Sequence, residues 1–304
     1  MANTAWDWTP AKGFYPMVEV LLNPTKKLPP QRFVFQKYSR GEIIDMYREK
    51  IEYYWNQNLN VVFGSESMDN IVKVSNGTAI LEAFSKDIIP QNVNPQYITV
   101  VVAYRTPKVK HLISMWHQNI MKPGKENKIS FYDWITKDPN TLGPMDALGM
   151  VEMFLKHTEW KVALLDLEGL RVNEWDESNL VACKILQGKC FNRTLIDVSD
   201  FGEMKEPIIT NVRKHEQEPN VPLEALVEME AVLRSYDCNY YDMLQRESNG
   251  DRLKIYYPIG LDETMKFCPS MIQSNHVRQS RLEMKALIKD IVVKHGRIKL
   301  DSTE

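Results

Sequence analysis

The 304-residue sequence contains no run approaching the ~20 uninterrupted apolar residues that a membrane-spanning helix needs. Residues 1–16, MANTAWDWTPAKGFYP, lack the apolar core of a signal peptide. Net charge is almost absent: 38 Lys plus Arg oppose 40 Asp plus Glu, giving −2. That balance offers no argument for nucleic acid as a partner. Four cysteines with no Cys-x-x-Cys pair remove zinc-ribbon and thioredoxin readings and are too few to fix a compartment. The six histidines show no His-x-x-x-His spacing with a third ligand nearby, so no metal centre is expected. Neither Gly-x-Gly-x-x-Gly nor Gly-x-Ser-x-Gly occurs. No repeat or low-complexity tract is present. What remains, 43% hydrophobic and 26% charged residues, is enough chain for a sizeable core in one large globular domain.

The stretch that organises the chain is Tyr97–Gln118, YITVVVAYRTPKVKHLISMWHQ. Ile98–Tyr104 is a β-branched, apolar run bounded upstream by Pro90 and Pro95, which predicts a buried parallel strand. Thr106-Pro107 supplies an N-cap candidate and a first-turn proline. Val109, Leu112, Ile113, Trp116 and Ile120 then recur at helical spacing. Val109 and Trp116 are expected to face the sheet, with Lys110, Ser114 and His117 on the other side. Arg105 therefore ends a strand just before a helix, an edge where open α/β sheets bind ligands and free N–H groups favour anions.

Elsewhere, helical spacing covers Glu42–Trp55, Ala79–Ile88, Ser130–Lys137, Leu142–His157, Asp176–Leu186, Pro222–Tyr236, Cys238–Glu247 and Ser280–His295. A short helix is expected at Pro16–Leu22. Strands are expected at Asn60–Gly64 and Lys161–Leu167, and Leu253–Tyr257 reads as a short strand or extended segment. Strands separated by helices give an α/β class: a parallel sheet flanked by helices. Glu66, in VFGSESMD, also falls at the carboxyl end of a strand. There it is a general-base candidate or a helix-start carboxylate stabilised by the dipole.

The strand–Arg–Pro–Ser pattern of Arg105, Pro107 and Ser114 resembles the 3′-phosphate motif of sulfotransferases that use 3′-phosphoadenosine 5′-phosphosulfate. The interval from arginine to serine is nine residues here, against the family's usual eight. Glu66 is placed like the catalytic glutamate of tyrosylprotein sulfotransferases. Tyr236–Leu244 is similar to the late Asp…Tyr helix of the carbohydrate type, especially the galactose 3-O type, although on physics alone it reads as an amphipathic helix packed into the core. The resemblance implies a P-loop-like sulfotransferase fold spanning residues 1–304 as one domain. It implies sulfuryl transfer to a hydroxyl of a carbohydrate or glycolipid, with Arg105 and Ser114 on the 3′-phosphate, Lys108 adding positive field and Glu66 as base. No metal is implied, because cations and amides stabilise the leaving group. The family's Lys-x-Gly-Thr-type donor loop has no counterpart, Lys12-Gly13 having no strand before it. Two expectations stay open: the first βα unit lies upstream of Met1, or the chain is a non-catalytic binding relative. The Golgi lumen, where the carbohydrate type works, implies that Cys183 and Cys190 are bridged across the helix stop at Gly188. The sequons at Asn76 and Asn192 matter only in that setting.

Overall fold

The computed structural model describes residues 38–59, 61, 77–119, 129–137, 146–173, 180–185, 221–275, 277 and 280–297. In chain order these residues form α1 (Arg40–Trp55), then α2 (Gly77–Ala83) continued by a π-helical turn (Phe84–Ile88). A 3-10 turn (Pro95–Tyr97) precedes β1 (Thr99–Tyr104), α3 (Lys108–Asn119), α4 (Phe131–Lys137) and α5 (Ala147–His157). Next come β2 (Lys161–Asp166), α6 (Leu167–Val172), a π-helical turn (Leu180–Ile185), α7 (Leu223–Asp237), a 3-10 turn (Cys238–Tyr240) and α8 (Tyr241–Glu247). The last elements are β3 (Leu253–Tyr256), α9 (Ile259–Gln273) and α10 (Arg281–Arg297). The fold is α/β: a parallel three-stranded sheet, ordered β1-β2-β3 and flanked by helices. The expected helix Pro16–Leu22 and, apart from Val61, the expected strand Asn60–Gly64 lie outside the described residues.

The chain packs as two compact units. One comprises residues 1–100, 146–162 and 251–253; the other comprises 101–145, 163–250 and 254–304.

In the first unit, α1 opens on a capping box. The Glu42 backbone N–H donates to Ser39 Oγ at 3.3 Å and the Ser39 N–H to Glu42 Oε2 at 2.6 Å. The apolar stripe Ile43, Ile44, Tyr47, Ile51 is buried, as the helical period requires. Trp160 packs against Phe84, edge-on at 5.7 Å, and Phe154, stacked at 5.9 Å. Arg252 closes the end of α5: its Nη1 donates to the Leu155 carbonyl at 2.9 Å, its Nε to the Trp160 carbonyl at 3.2 Å, and Nη2 to Thr158 O. A guanidinium there satisfies carbonyls that the helix leaves unpaired and suits the negative end of its dipole.

In the second unit, the central strand β2 is buried from Val162's neighbour Ala163 through Asp166, the near-continuous run of a strand covered on both faces. β1 departs from the uniformly buried strand expected at Ile98–Tyr104. Val102 and Tyr104 are buried while Val101, 40% exposed, and Ala103 point outward. It is an outer strand among the three described, and alternate side chains face opposite sides, so only one set packs inward. Trp116 of α3 stacks edge-on with Phe131 and donates its indole N–H to the Ile129 carbonyl at 3.0 Å, tying α3 to α4. α7 packs on both α3 and α10, burying Ala225, Met229 and Leu233 on one helix and Met284, Ile288 and Ile291 on the other.

α9 has no counterpart among the expected helices. Its buried face is Gly260, Leu261, Thr264 and Cys268, and Pro269 lies inside it. Small and polar residues on the inward face hide the apolar period, and proline argues locally against a helix. A disulfide joins Cys238 to Cys268, with Cα atoms 5.1 Å apart, and so fastens α9 to the end of α7. The side chain of Cys183 and all of Cys190 lie outside the described residues.

Candidate anion-binding turn

The turn from β1 into α3 is built on buried polar groups. Tyr104, the last residue of β1, is fully buried. Its hydroxyl donates to Asp237 Oδ2 at 2.8 Å and lies 3.0 Å from Thr264 Oγ1. Lys108, in the first turn of α3, places Nζ 2.9 Å from the same Asp237 oxygen and 5.1 Å from the centre of the Tyr104 ring. Burial and then the negative charge of Asp237 push the Tyr104 phenol well above its ordinary range, so it stays a neutral donor. Asp237 thus fastens both sides of Arg105, through the residue before it and a residue after it.

A second carboxylate organises the neighbouring strand end. Asp166 closes β2 and is fully buried. Its Oδ1 accepts from Glu168 N at 3.0 Å and Gly169 N at 3.3 Å, while Oδ2 accepts from Leu261 N at 2.7 Å. One side chain therefore caps two helices, α6 and α9. Burial pushes its carboxyl above the ordinary range, opposed by these N–H groups and that of Gly260. Gly260 is required where it stands: a Cβ would lie 1.8 Å from Thr106 Oγ1. Gly169 is equally constrained, its Cβ position being 1.7 Å from the Tyr257 carbonyl oxygen.

These contacts revise the sequence reading. Thr106 does not cap α3; it is buried against Gly260 and is joined to Pro107 by a cis bond. The cap comes from α7 instead, where Glu230 Oε2 accepts from Val109 N at 2.8 Å. The anions at the N-termini of α3 and α9 are the chain's own carboxylates, Glu230 and Asp166. The crevice expected at these strand ends is filled in this unit by the start of α9.

The three residues expected on the nucleotide differ in their surroundings. Lys108 is buried and ion-paired with Asp237. Arg105 is exposed at the strand end and makes no ion pair or side-chain hydrogen bond among the described residues. Ser114, half-buried, lines a groove of about 970 Å³ between α3 and α7 that begins at Pro107. Lys110 is exposed on that groove's rim, and His117 is buried in its wall. His111, half-buried, is lowered from 6.5 to about 4, first by burial and then by the charges of Arg105 and Lys108. A neutral imidazole therefore stands beside the Arg105 guanidinium. Glu66 lies outside the described residues. Among the described residues no group of three or more His, Cys, Asp or Glu could hold a metal ion, and no helix is long and apolar enough to cross a membrane.

Sequence reasoning missed Asp166, Asp237, Thr264 and Glu230 as organisers of the turn. One signal was present for the first: a lone acid ending the apolar run KVALLDL must be capped if that strand is buried. The partners of the others come from distant segments, which no local pattern reveals. No protein-family model matches the sequence, and no curated protein or solved structure matches it either.

Proposed function

We propose that this chain transfers a sulfuryl group from 3′-phosphoadenosine 5′-phosphosulfate to a hydroxyl of a carbohydrate or glycolipid, on a P-loop-like sulfotransferase fold. The observation that carries the reading is Arg105. An exposed guanidinium ends a parallel strand immediately before a helix, uncommitted among the described residues, on a turn that Asp237 and Lys108 hold from both sides. A planar fork of donors in that position suits a phosphate. Arg105 and Ser114 hold the 3′-phosphate, and Lys108 acts by fixing the turn as well as adding field. The acceptor oxygen attacks sulfur, its proton passes to Glu66, and adenosine 3′,5′-bisphosphate leaves. The nucleotide supplies the sulfuryl group. A second reading, a non-catalytic anion-binding relative, is favoured by one feature: Glu230 and Asp166 already occupy two helix N-termini that a ligand would use.

Isothermal titration with adenosine 3′,5′-bisphosphate tests the donor site. The wild type should bind, and Arg105→Ala should weaken binding by about 2–3 kcal/mol, the value of a charge-assisted contact. Arg105 is exposed, so the variant keeps its fold. Equal affinity in the two proteins, or no binding by the folded wild type, removes the assignment.

A further inference from the structure

The groove between α3 and α7 has no part in the proposed chemistry beyond sharing Ser114. Its walls are aliphatic: Val109 and Ile113 on one side, Leu226 and Val227 on the other, with Phe267 of α9 at one end. Two large apolar side chains of α7 reach solvent along it, Leu223 at 71% exposed and Val227 at 61%. Its volume, about 970 Å³, lies at the upper end of small-molecule pockets.

The polar groups of the groove are not equivalent. Glu230 is the one carboxylate among the described residues that line it. That carboxylate accepts from Val109 N at 2.8 Å and pairs with Arg234 Nε at 2.9 Å, so its charge is balanced within the wall. Arg234 is committed in turn to Glu230 and, at 3.3 Å, to Glu263. Lys110 differs: exposed on the rim, it makes no ion pair among the described residues. The Ser114 hydroxyl lies one helical turn further along the same face of α3. Among the described residues the groove therefore presents an aliphatic channel with one uncommitted cation and a hydroxyl at its edge. That combination complements a molecule with an aliphatic chain and an anionic head.

We infer that the α3–α7 groove binds a monomeric amphiphile, an aliphatic chain ending in an anionic group, with the chain between Ile113, Val227 and Phe267 and the head on Lys110 and Ser114. The inference rests on the groove's walls and charges rather than on sulfuryl transfer.

The test is isothermal titration of the full chain with dodecanoate, beside dodecanol and acetate at matched ionic strength. Dodecanoate should bind one per chain and saturate at micromolar concentration. Dodecanol should bind more weakly, and acetate not measurably. Ala231→Trp places an indole in the groove from an exposed position of α7 and should weaken dodecanoate at least tenfold. Lys110→Glu should weaken it roughly five- to tenfold while leaving dodecanol unchanged. Both positions are exposed, so folding, checked by circular dichroism, is retained. No saturable binding by the wild type, or equal dodecanoate affinity in Ala231→Trp, overturns the inference. So does binding only to vesicles of phosphatidylcholine with phosphatidylglycerol, which would assign the patch to a membrane surface. Adenosine 3′,5′-bisphosphate titrated in parallel keeps the outcomes distinct. Its failure removes the donor site whatever dodecanoate does, and the failure of dodecanoate removes the groove site alone.

Discussion

Replacing Asp237 by alanine is expected to lower the stability of the protein by about 3–5 kcal/mol, the cost of breaking a buried ion pair from one side. The expectation follows from what the carboxylate leaves behind. Lys108 is 4% exposed at its side chain and Asp237 is fully buried, with 2.9 Å between them. Without Asp237 the ammonium loses its carboxylate in a desolvated site, and the Tyr104 hydroxyl loses one of its two oxygen partners, keeping Thr264 Oγ1. Lys108→Met alone should also destabilise, because it removes the cation paired with the buried carboxylate. Lys108→Met with Asp237→Leu should recover most of the loss, since an apolar pair of similar volume removes both desolvation costs. Chemical denaturation of the four proteins measures this directly. Additive losses in the double variant would show that the two residues act separately. The disulfide Cys238–Cys268 adjoins Asp237, so the series is run without reductant.

The second large effect concerns turnover. If Glu66 takes the acceptor's proton, Glu66→Gln keeps the side chain's shape and lowers turnover by about 10²–10⁴-fold, with donor binding nearly unchanged. Gln cannot accept a proton but still hydrogen-bonds the acceptor, so the loss should fall on kcat more than on KM. The assay follows release of adenosine 3′,5′-bisphosphate against a panel of hydroxyl-bearing sugars and glycolipids. Unaltered turnover would return Glu66 to the other reading of its position, a carboxylate stabilised at the start of a helix.

The legible part of this fold is the part governed by local period. The apolar spacing of Val109, Leu112 and Trp116 foretold α3, and the burial of Val109 and Trp116 follows it. KVALLDL foretold β2, and Lys161–Asp166 is that strand. The helical spacing of α1, α7 and α10 was equally plain, and their ends fall within two residues of expectation. The illegible part is where polar groups are buried against distant segments. Thr106 had the residue type and position of an N-cap, yet the N–H of Val109 is met by Glu230, 121 positions away. Lys108 read as a cation available to a phosphate, yet Asp237 takes it, and that pairing depends on how α7 is laid against β1. α9 escaped notice because its inward face is glycine, threonine and cysteine, residues chosen for close approach and hydrogen bonding rather than for hydrophobicity. Arg105 was expected at the end of a strand, and there it stands, exposed after β1.

The central claim is that a nucleotide phosphate sits on Arg105 at the mouth of α3, and His111 reports on it. In the free protein His111 should titrate near 4, because burial and the charges of Arg105 and Lys108 disfavour its protonated form. A phosphate on Arg105 brings negative charge beside the imidazole and reverses part of that effect. The measurement is the pH titration of the His111 ring signals by NMR, with and without saturating adenosine 3′,5′-bisphosphate, assigned with His111→Gln. The account predicts that the ligand raises the apparent pKa by about one unit or more. A bound nucleotide that leaves the His111 titration where it was would place the phosphate elsewhere and contradict the account.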